Sequence, residues 1–250
     1  MKKTILFTAF AVICSISAAV PTAGRAWSYF SINFTLTKSL SLNVMPGIRY
    51  EFSRRNDTAD VKEFFMNEFF IGPMYKMNFG KGIILLPFFY YYMGYPVEAS
   101  GAYTLSHNLE FSPTYIKRLG MLTAQMRLIF NNCIYSNFYA EEEDRSDYSM
   151  LLRWRIMLQY AVAPKFVLEI GEEPFWGIIG PSEATPVTGP GFAEEGFDMN
   201  RINAGFTYVL NKMLALNVNY IYETSYKLID GKKELSAVSH YIFLTFKVNL

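Results

Sequence analysis

Cysteine, histidine and an excess of charge of either sign are what this 250-residue chain has least of. It has two cysteines, and Cys14 falls in an N-terminal apolar stretch, so a processed chain keeps Cys133 alone. A single cysteine excludes an intrachain disulfide and a cysteine metal cluster. Two histidines, His107 and His240, leave few candidates for a general base. With 23 Lys+Arg against 22 Asp+Glu the formal net charge is +1, which lacks the basic excess of a nucleic-acid binder. Long apolar runs are also missing. Past the N-terminal stretch the longest, Ile83 to Tyr95, has 13 residues and contains Pro87 and Gly94. A spanning helix needs roughly 18 or more uninterrupted apolar residues. If the mature chain enters a membrane, helices do not put it there.

What the chain does have is apolar and aromatic side chains, 51% and 17% of its residues, which excludes a disordered or collagen-like polymer. The length fits one large domain or two small ones. Met1, Lys2 and Lys3 form a positive start, Thr4 to Val20 is uncharged, and small residues follow at Ser17-Ala18-Ala19 and at Ala26. This pattern predicts a secretory signal peptide over residues 1–19, with cleavage after Ala26 as the second choice, and a single domain over 20–250. Losing Lys2 and Lys3 brings the mature net charge to −1. Ile13 stands before Cys14 where a lipobox has Gly or Ala, which argues against lipid attachment.

Beyond that segment the dominant period is two. Leu152, Trp154, Ile156, Leu158 and Tyr160 alternate with Arg153, Arg155 and Gln159. Leu122, Ala124, Met126, Leu128 and Phe130 alternate with Thr123, Gln125, Arg127 and Asn131. The same alternation sets Leu216, Val218, Tyr220 and Tyr222 against Asn217, Asn219 and Glu223, and Ile48 and Tyr50 against Arg49 and Glu51. Such patterns predict strands with one apolar and one polar face.

The connections alternate in length. Short turns are expected at Lys38-Ser39, Gly80-Lys81-Gly82, Arg118-Leu119-Gly120, Ala163-Pro164-Lys165 and Asn211-Lys212. Longer loops are expected at Ser53–Glu63, Pro96–Ala102, Ala140–Asp147, Gly177–Gly196 and Ile229–Leu235. Short turns on one rim and long loops on the other describe a bacterial transmembrane barrel. A soluble sandwich accommodates the same alternation, with its apolar faces turned inward. The membrane reading is favoured by long apolar faces with aromatic ends, by charges in the middle of nearly every polar face, and by segments longer than sandwich strands. The expected fold is therefore all-β, a transmembrane antiparallel β-barrel with short periplasmic turns and longer extracellular loops. Eleven segments can be drawn: 27–37, 40–52, 64–79, 83–95, 103–117, 121–138, 148–162, 166–176, 197–210, 213–227 and 237–250. Single-chain bacterial barrels have even numbers, so about twelve strands are expected, with ten possible.

In a barrel the polar faces line the lumen. They carry Arg49, Arg127, Arg153, Arg155, Arg201 and Lys247, with Glu51, Glu68, Glu110, Glu169, Glu173 and Glu223. A balanced wall of this kind can filter small polar solutes. It can equally be an ion-pair network that fills the lumen and holds register, since buried charges must be paired or hydrated.

The order of elements resembles the bacterial outer-membrane barrels catalogued as domain of unknown function 2490. The resemblance runs from Leu109-Glu110-Phe111 through Arg127 to Leu152-Arg153-Trp154-Arg155. It continues over Val167-Leu168-Glu169, Glu173-Pro174-Phe175, Asn200-Arg201 and Gly205-Phe206-Thr207-Tyr208, then Asn219-Tyr220 and the last strand from His240-Tyr241. It implies a barrel with charged inward residues and no settled activity. The last residue is Leu250, where a common outer-membrane signature has Phe or Trp.

Other motifs are weak. His107 and His240 lie on apolar faces with no serine two residues away on the same face, so no nucleophile and base pair is in view and no catalytic residue is expected. Gly189-Pro190-Gly191 does not lie between a strand and a helix. Glu141-Glu142-Glu143-Asp144 reads as a solvated loop tip or a cation bridge to lipopolysaccharide. The loop Gly177–Gly196 could cap the lumen or lie outside it. No cofactor or metal is expected. The expected partners are outer-membrane lipid, lipopolysaccharide and small polar solutes, with no nucleic acid. Three functions are open at this point: a small passive pore, a non-conducting structural or adhesive barrel, and a lipid-modifying enzyme.

Overall fold

The computed structural model describes residues 20–56, 64–96, 103–136, 146–180, 195–229 and 231–250, which are all strand, turn or short connection. Twelve strands form: β1 (Thr22–Thr35), β2 (Leu40–Arg55), β3 (Phe64–Phe79), β4 (Gly82–Pro96), β5 (Tyr103–Phe111), β6 (Thr114–Leu119), β7 (Leu122–Ser136), β8 (Ser146–Ala163), β9 (Phe166–Ile179), β10 (Gly196–Val209), β11 (Leu214–Ile229) and β12 (Lys232–Asn249). They make one sheet that closes on itself. Closure leaves no open edge, so every strand has a neighbour on both sides.

Twelve strands fill eleven positions in the ring. β5 and β6 both pair with β4 and with β7, and the register runs on unchanged from Phe88↔Phe111 to Leu85↔Thr114 on one side and from Phe111↔Phe130 to Thr114↔Arg127 on the other. They are two halves of one stave, interrupted at Ser112-Pro113. Pro113 has no N–H to give to the ladder, although its carbonyl still accepts from Leu128 N at 3.1 Å. An odd number of staves cannot alternate all the way round, so the closing pair must run in the same direction. β1 and β12 are indeed parallel, in register from Thr22↔Val238 to Asn33↔Asn249.

The local chemistry of the turns explains their shortness. Gly80 and Gly120 take φ of 55° and 62°, which glycine adopts without a side-chain clash. At the β1–β2 turn Thr37 Oγ1 accepts from the backbone N–H of Ser39 and Leu40, and Asn211 Oδ1 does the same for Met213 and Leu214. All five expected short turns lie on one rim. On the other rim the loop expected over Ile229–Leu235 is replaced by a tight connection, because β11 runs to Ile229 and β12 begins at Lys232, with Gly231 at φ 75°. Most of the other four long loops, the acidic run 141–144 and Gly189-Pro190-Gly191 lie outside the described residues, as does the segment 1–19.

Which face is apolar decides between barrel and sandwich. The apolar set points outward: Ile48 is 55% exposed, Ile156 45% and Ile242 50%. The alternating charged set points inward, with Glu68, Glu173 and Glu223 all buried. A sandwich would bury the first set and expose the second. No helix among the described residues is long and apolar enough to cross a membrane, so any crossing falls to the strands. The protein is a closed β-barrel with an apolar exterior and a charged interior, a form that fits an outer-membrane protein.

Candidate functional site: the barrel lumen

Toward the long-loop rim the lumen charges are paired. Glu51, fully buried, accepts from Arg25 Nε at 2.9 Å and lies 2.9 Å from Arg54 Nη2. Arg25 Nη1 donates onward to Tyr241 Oη at 2.8 Å, Tyr241 donates to Glu223 Oε1 at 3.1 Å, and Arg201 Nε donates to Glu223 Oε2 at 2.7 Å. This relay crosses β2, β1, β12, β11 and β10, and so stitches the parallel seam with side chains as well as backbone.

A second set surrounds Glu68 on β3. Its Oε1 accepts from Arg49 Nη2 at 2.7 Å, and its Oε2 accepts from Trp27 Nε1 at 2.9 Å and from Tyr29 Oη. Tyr29 reaches this point because its ring lies over Gly47, where any Cβ would overlap the ring. On β8, Arg153 donates to Glu173 Oε1 through Nε at 2.9 Å and lies 3.6 Å from Glu110.

The arginines of these pairs also sandwich aromatic rings. The Arg49 guanidinium is 3.6 Å from the Trp27 centroid, and Arg201 lies 5.5 Å from the same ring. Arg201 is 4.7 Å from the Phe175 ring and Arg153 is 4.8 Å from it. The succession Arg49, Trp27, Arg201, Phe175, Arg153 reaches from β2 to β8. Each arginine is neutralised by a glutamate and shielded by a ring, a combination that stabilises charge away from bulk water.

Toward the short-turn rim the arrangement changes. Glu169 accepts from three neutral amides: Gln159 Nε2 at 3.1 Å, Asn219 Nδ2 at 2.6 Å and Asn217 Nδ2. Gln125 donates to Gln159 at 2.7 Å. Arg127, Arg155 and Lys247 lie in this part of the wall without a carboxylate contact among the described residues.

These two regions share one cavity of about 570 Å³, lined from Asp198 and Ser225 near the long-loop rim to Lys247 and Gln159 near the other. That volume is the size of a small-molecule site and well short of a wide aqueous channel. Of the twelve charged residues expected on the lumen face, eleven line this cavity, and Glu51 lies sealed behind Arg25 and Arg54 instead. Arg25, Trp27, Tyr29, Phe175 and Tyr241 also face the lumen, and the residue-type pattern did not single them out. Their parity could have found them. Phe175 stands two residues from Glu173, and Tyr241 lies on the same alternate positions as Lys247. Arg25 was hidden by the start of β1, which lies five residues before the first expected strand.

The two histidines are on the outer face, each beside a tyrosine: Tyr90 Oη is 2.8 Å from His107 Nδ1, and Tyr220 Oη is 2.5 Å from His240 Nδ1. Cys133 is buried on the lumen side as a free thiol. Among the described residues no group of His, Cys, Asp and Glu is arranged to hold a metal ion. No protein-family model matches the chain, and comparison with curated proteins finds no match.

Proposed function

We propose that this barrel resides in a bacterial outer membrane and acts as a narrow passive pore for small polar solutes, selected by the charges of its lumen. The observation that carries the reading is the pairing of an apolar exterior with a charge-lined cavity of about 570 Å³ that extends between the two halves of the lumen. Apolar side chains on the outer positions of every stave suit contact with lipid, while lumen charges tune which solutes pass. The reading includes export by residues 1–19, short turns facing the periplasm, and kinship with the family of unknown function 2490 that the sequence resembles. Cleavage after Ala19 leaves β1 whole, whereas cleavage after Ala26 removes Arg25 from the Glu51 pair. No enzymatic step is part of the proposal, and His107 and His240 each hydrogen-bond a tyrosine on the outer face.

A second reading, a non-conducting structural or adhesive barrel, is favoured by one observation. The arginine–aromatic succession from Arg49 to Arg153 runs through the lumen from β2 to β8. Single-channel recording of the mature chain, refolded from detergent into a planar bilayer, separates the two. Discrete and reproducible open steps support the pore. An inserted, folded but silent barrel overturns it in favour of the closed form.

A further inference from the structure

Among the described residues, the ion-pair network leaves out three lumen cations. Arg127 on β7 and Arg155 on β8 are direct cross-strand partners on the inward face, a position at which like charges destabilise a sheet. Arg127 Nε donates to Thr114 Oγ1 at 2.8 Å, which satisfies one N–H but no charge. Arg155 Nε is buried without a hydrogen-bond partner. Lys247 on β12 is near enough for both arginines to repel its charge.

The carboxylates around them are engaged elsewhere. Glu169 attracts Lys247, yet its oxygens are taken by Gln159, Asn217 and Asn219. Glu173 and Glu110 act on Arg127 from farther away, and Glu173 also attracts Arg155 from the facing strand β9, but both carboxylates are in contact with Arg153. With Arg153 included, four cations face three carboxylates, Glu110, Glu169 and Glu173, which leaves one positive charge uncompensated. A barrel that pairs its other lumen arginines so completely has no structural use for this arrangement, since unpaired lumen charge costs stability.

We infer that Arg127, Arg155 and Lys247 form a binding site for a small multivalent oxyanion, such as inorganic phosphate or a dicarboxylate. Two guanidinium groups on adjacent strands, about 5 Å apart at their Cβ atoms, can bracket one oxyanion with parallel N–H donors. Lys247 supplies a third, rotatable point charge, and the amides of Gln125 and Gln159 line the same cavity. The inference deepens the proposed pore and rests on solutes reaching the lumen, but not on their leaving by the far side.

The test is calorimetric titration of the refolded full barrel in detergent with inorganic phosphate and, separately, with succinate. Saturable binding of either identifies the anion class, and the tighter of the two identifies the source. Arg155→Gln and Lys247→Gln are each expected to weaken binding at least tenfold, while Lys227→Gln, at an exposed strand end, leaves it unchanged. Lys247→Gln is also expected to raise the urea midpoint of the anion-free barrel, because it removes a buried charge that both arginines repel. Loss of binding together with a gain in stability is a result that misfolding cannot produce. No saturable binding by a folded wild-type barrel, or binding unaltered in both lumen variants, overturns the inference. Conductance keeps the two proposals apart. Binding in a silent barrel retains the site and rejects the pore, whereas open steps without binding or anion preference retain the pore and reject the site.

Discussion

Replacing Glu68 is the sharpest perturbation of the lumen network. Its carboxylate is 3% exposed and accepts from Arg49, Trp27 and Tyr29. Glu68→Ala leaves the Arg49 guanidinium, itself 7% exposed, without its counter-charge. Removing one partner of a buried pair costs about 3–5 kcal/mol. Stranding the indole N–H and the tyrosine hydroxyl adds about 1–3 kcal/mol for each donor that water does not reach. The single substitution is therefore expected to cost about 5 kcal/mol or more, a large part of a typical folding free energy of about 5–15 kcal/mol. Arg49→Met should cost about 3–5 kcal/mol through the opposite orphan, plus about 1 kcal/mol for its stack on Trp27. The double variant Arg49→Met/Glu68→Met removes both charges and replaces them with apolar volume, so it should cost less than either single change. Urea unfolding in lipid vesicles, followed by tryptophan fluorescence, measures all three, and the cycle should yield a coupling of about 3 kcal/mol or more. Single costs below about 1 kcal/mol, or additive effects in the double variant, would show a wet, screened pair and refute the reasoning.

Three further outcomes follow from the same geometry. Phe175→Ala, which opens the arginine–aromatic succession between Arg201 and Arg153, should increase single-channel conductance of the refolded barrel, and unchanged conductance would place the constriction elsewhere. Ile156→Arg on the outer face should cost about 2–4 kcal/mol in vesicles, as a lipid-facing cation near the bilayer midplane does; a cost near zero would mean that this face meets water. Gly47→Val should cost about 1–3 kcal/mol by driving the Tyr29 ring off its seat. It should also weaken the tyrosine contact with Glu68, visible as loss of protection of the hydroxyl proton by NMR in detergent.

The alternation of residue types was enough to determine an all-β chain with one apolar and one polar face on its strands. Where Trp154 and Ile156 alternate with Arg153 and Arg155, a strand has one face for apolar surroundings and one for polar surroundings. Repetition of that pattern along the chain implies sheets with two unlike faces, and the same parity placed Glu68, Glu173 and Arg201 on the polar one. The sequence also carried the five short turns, four of which hold a Gly, Asn or Thr that acts locally. Period two cannot say which strands become neighbours, nor at what offset, because any register of two apolar-and-polar strands preserves both faces when shifted by two residues. The number of staves, the parallel seam between β1 and β12 and the joining of β5 to β6 across Pro113 were therefore decided by closure of the ring. So were the partners of each charge. That Arg153 meets Glu173 while Arg155, two residues along on the same face, meets no carboxylate depends on the offset between β8 and β9 and on the lumen width. Residue identity settles which groups can attract one another. Only the tertiary structure brings some of them into contact and leaves Arg127, Arg155 and Lys247 apart.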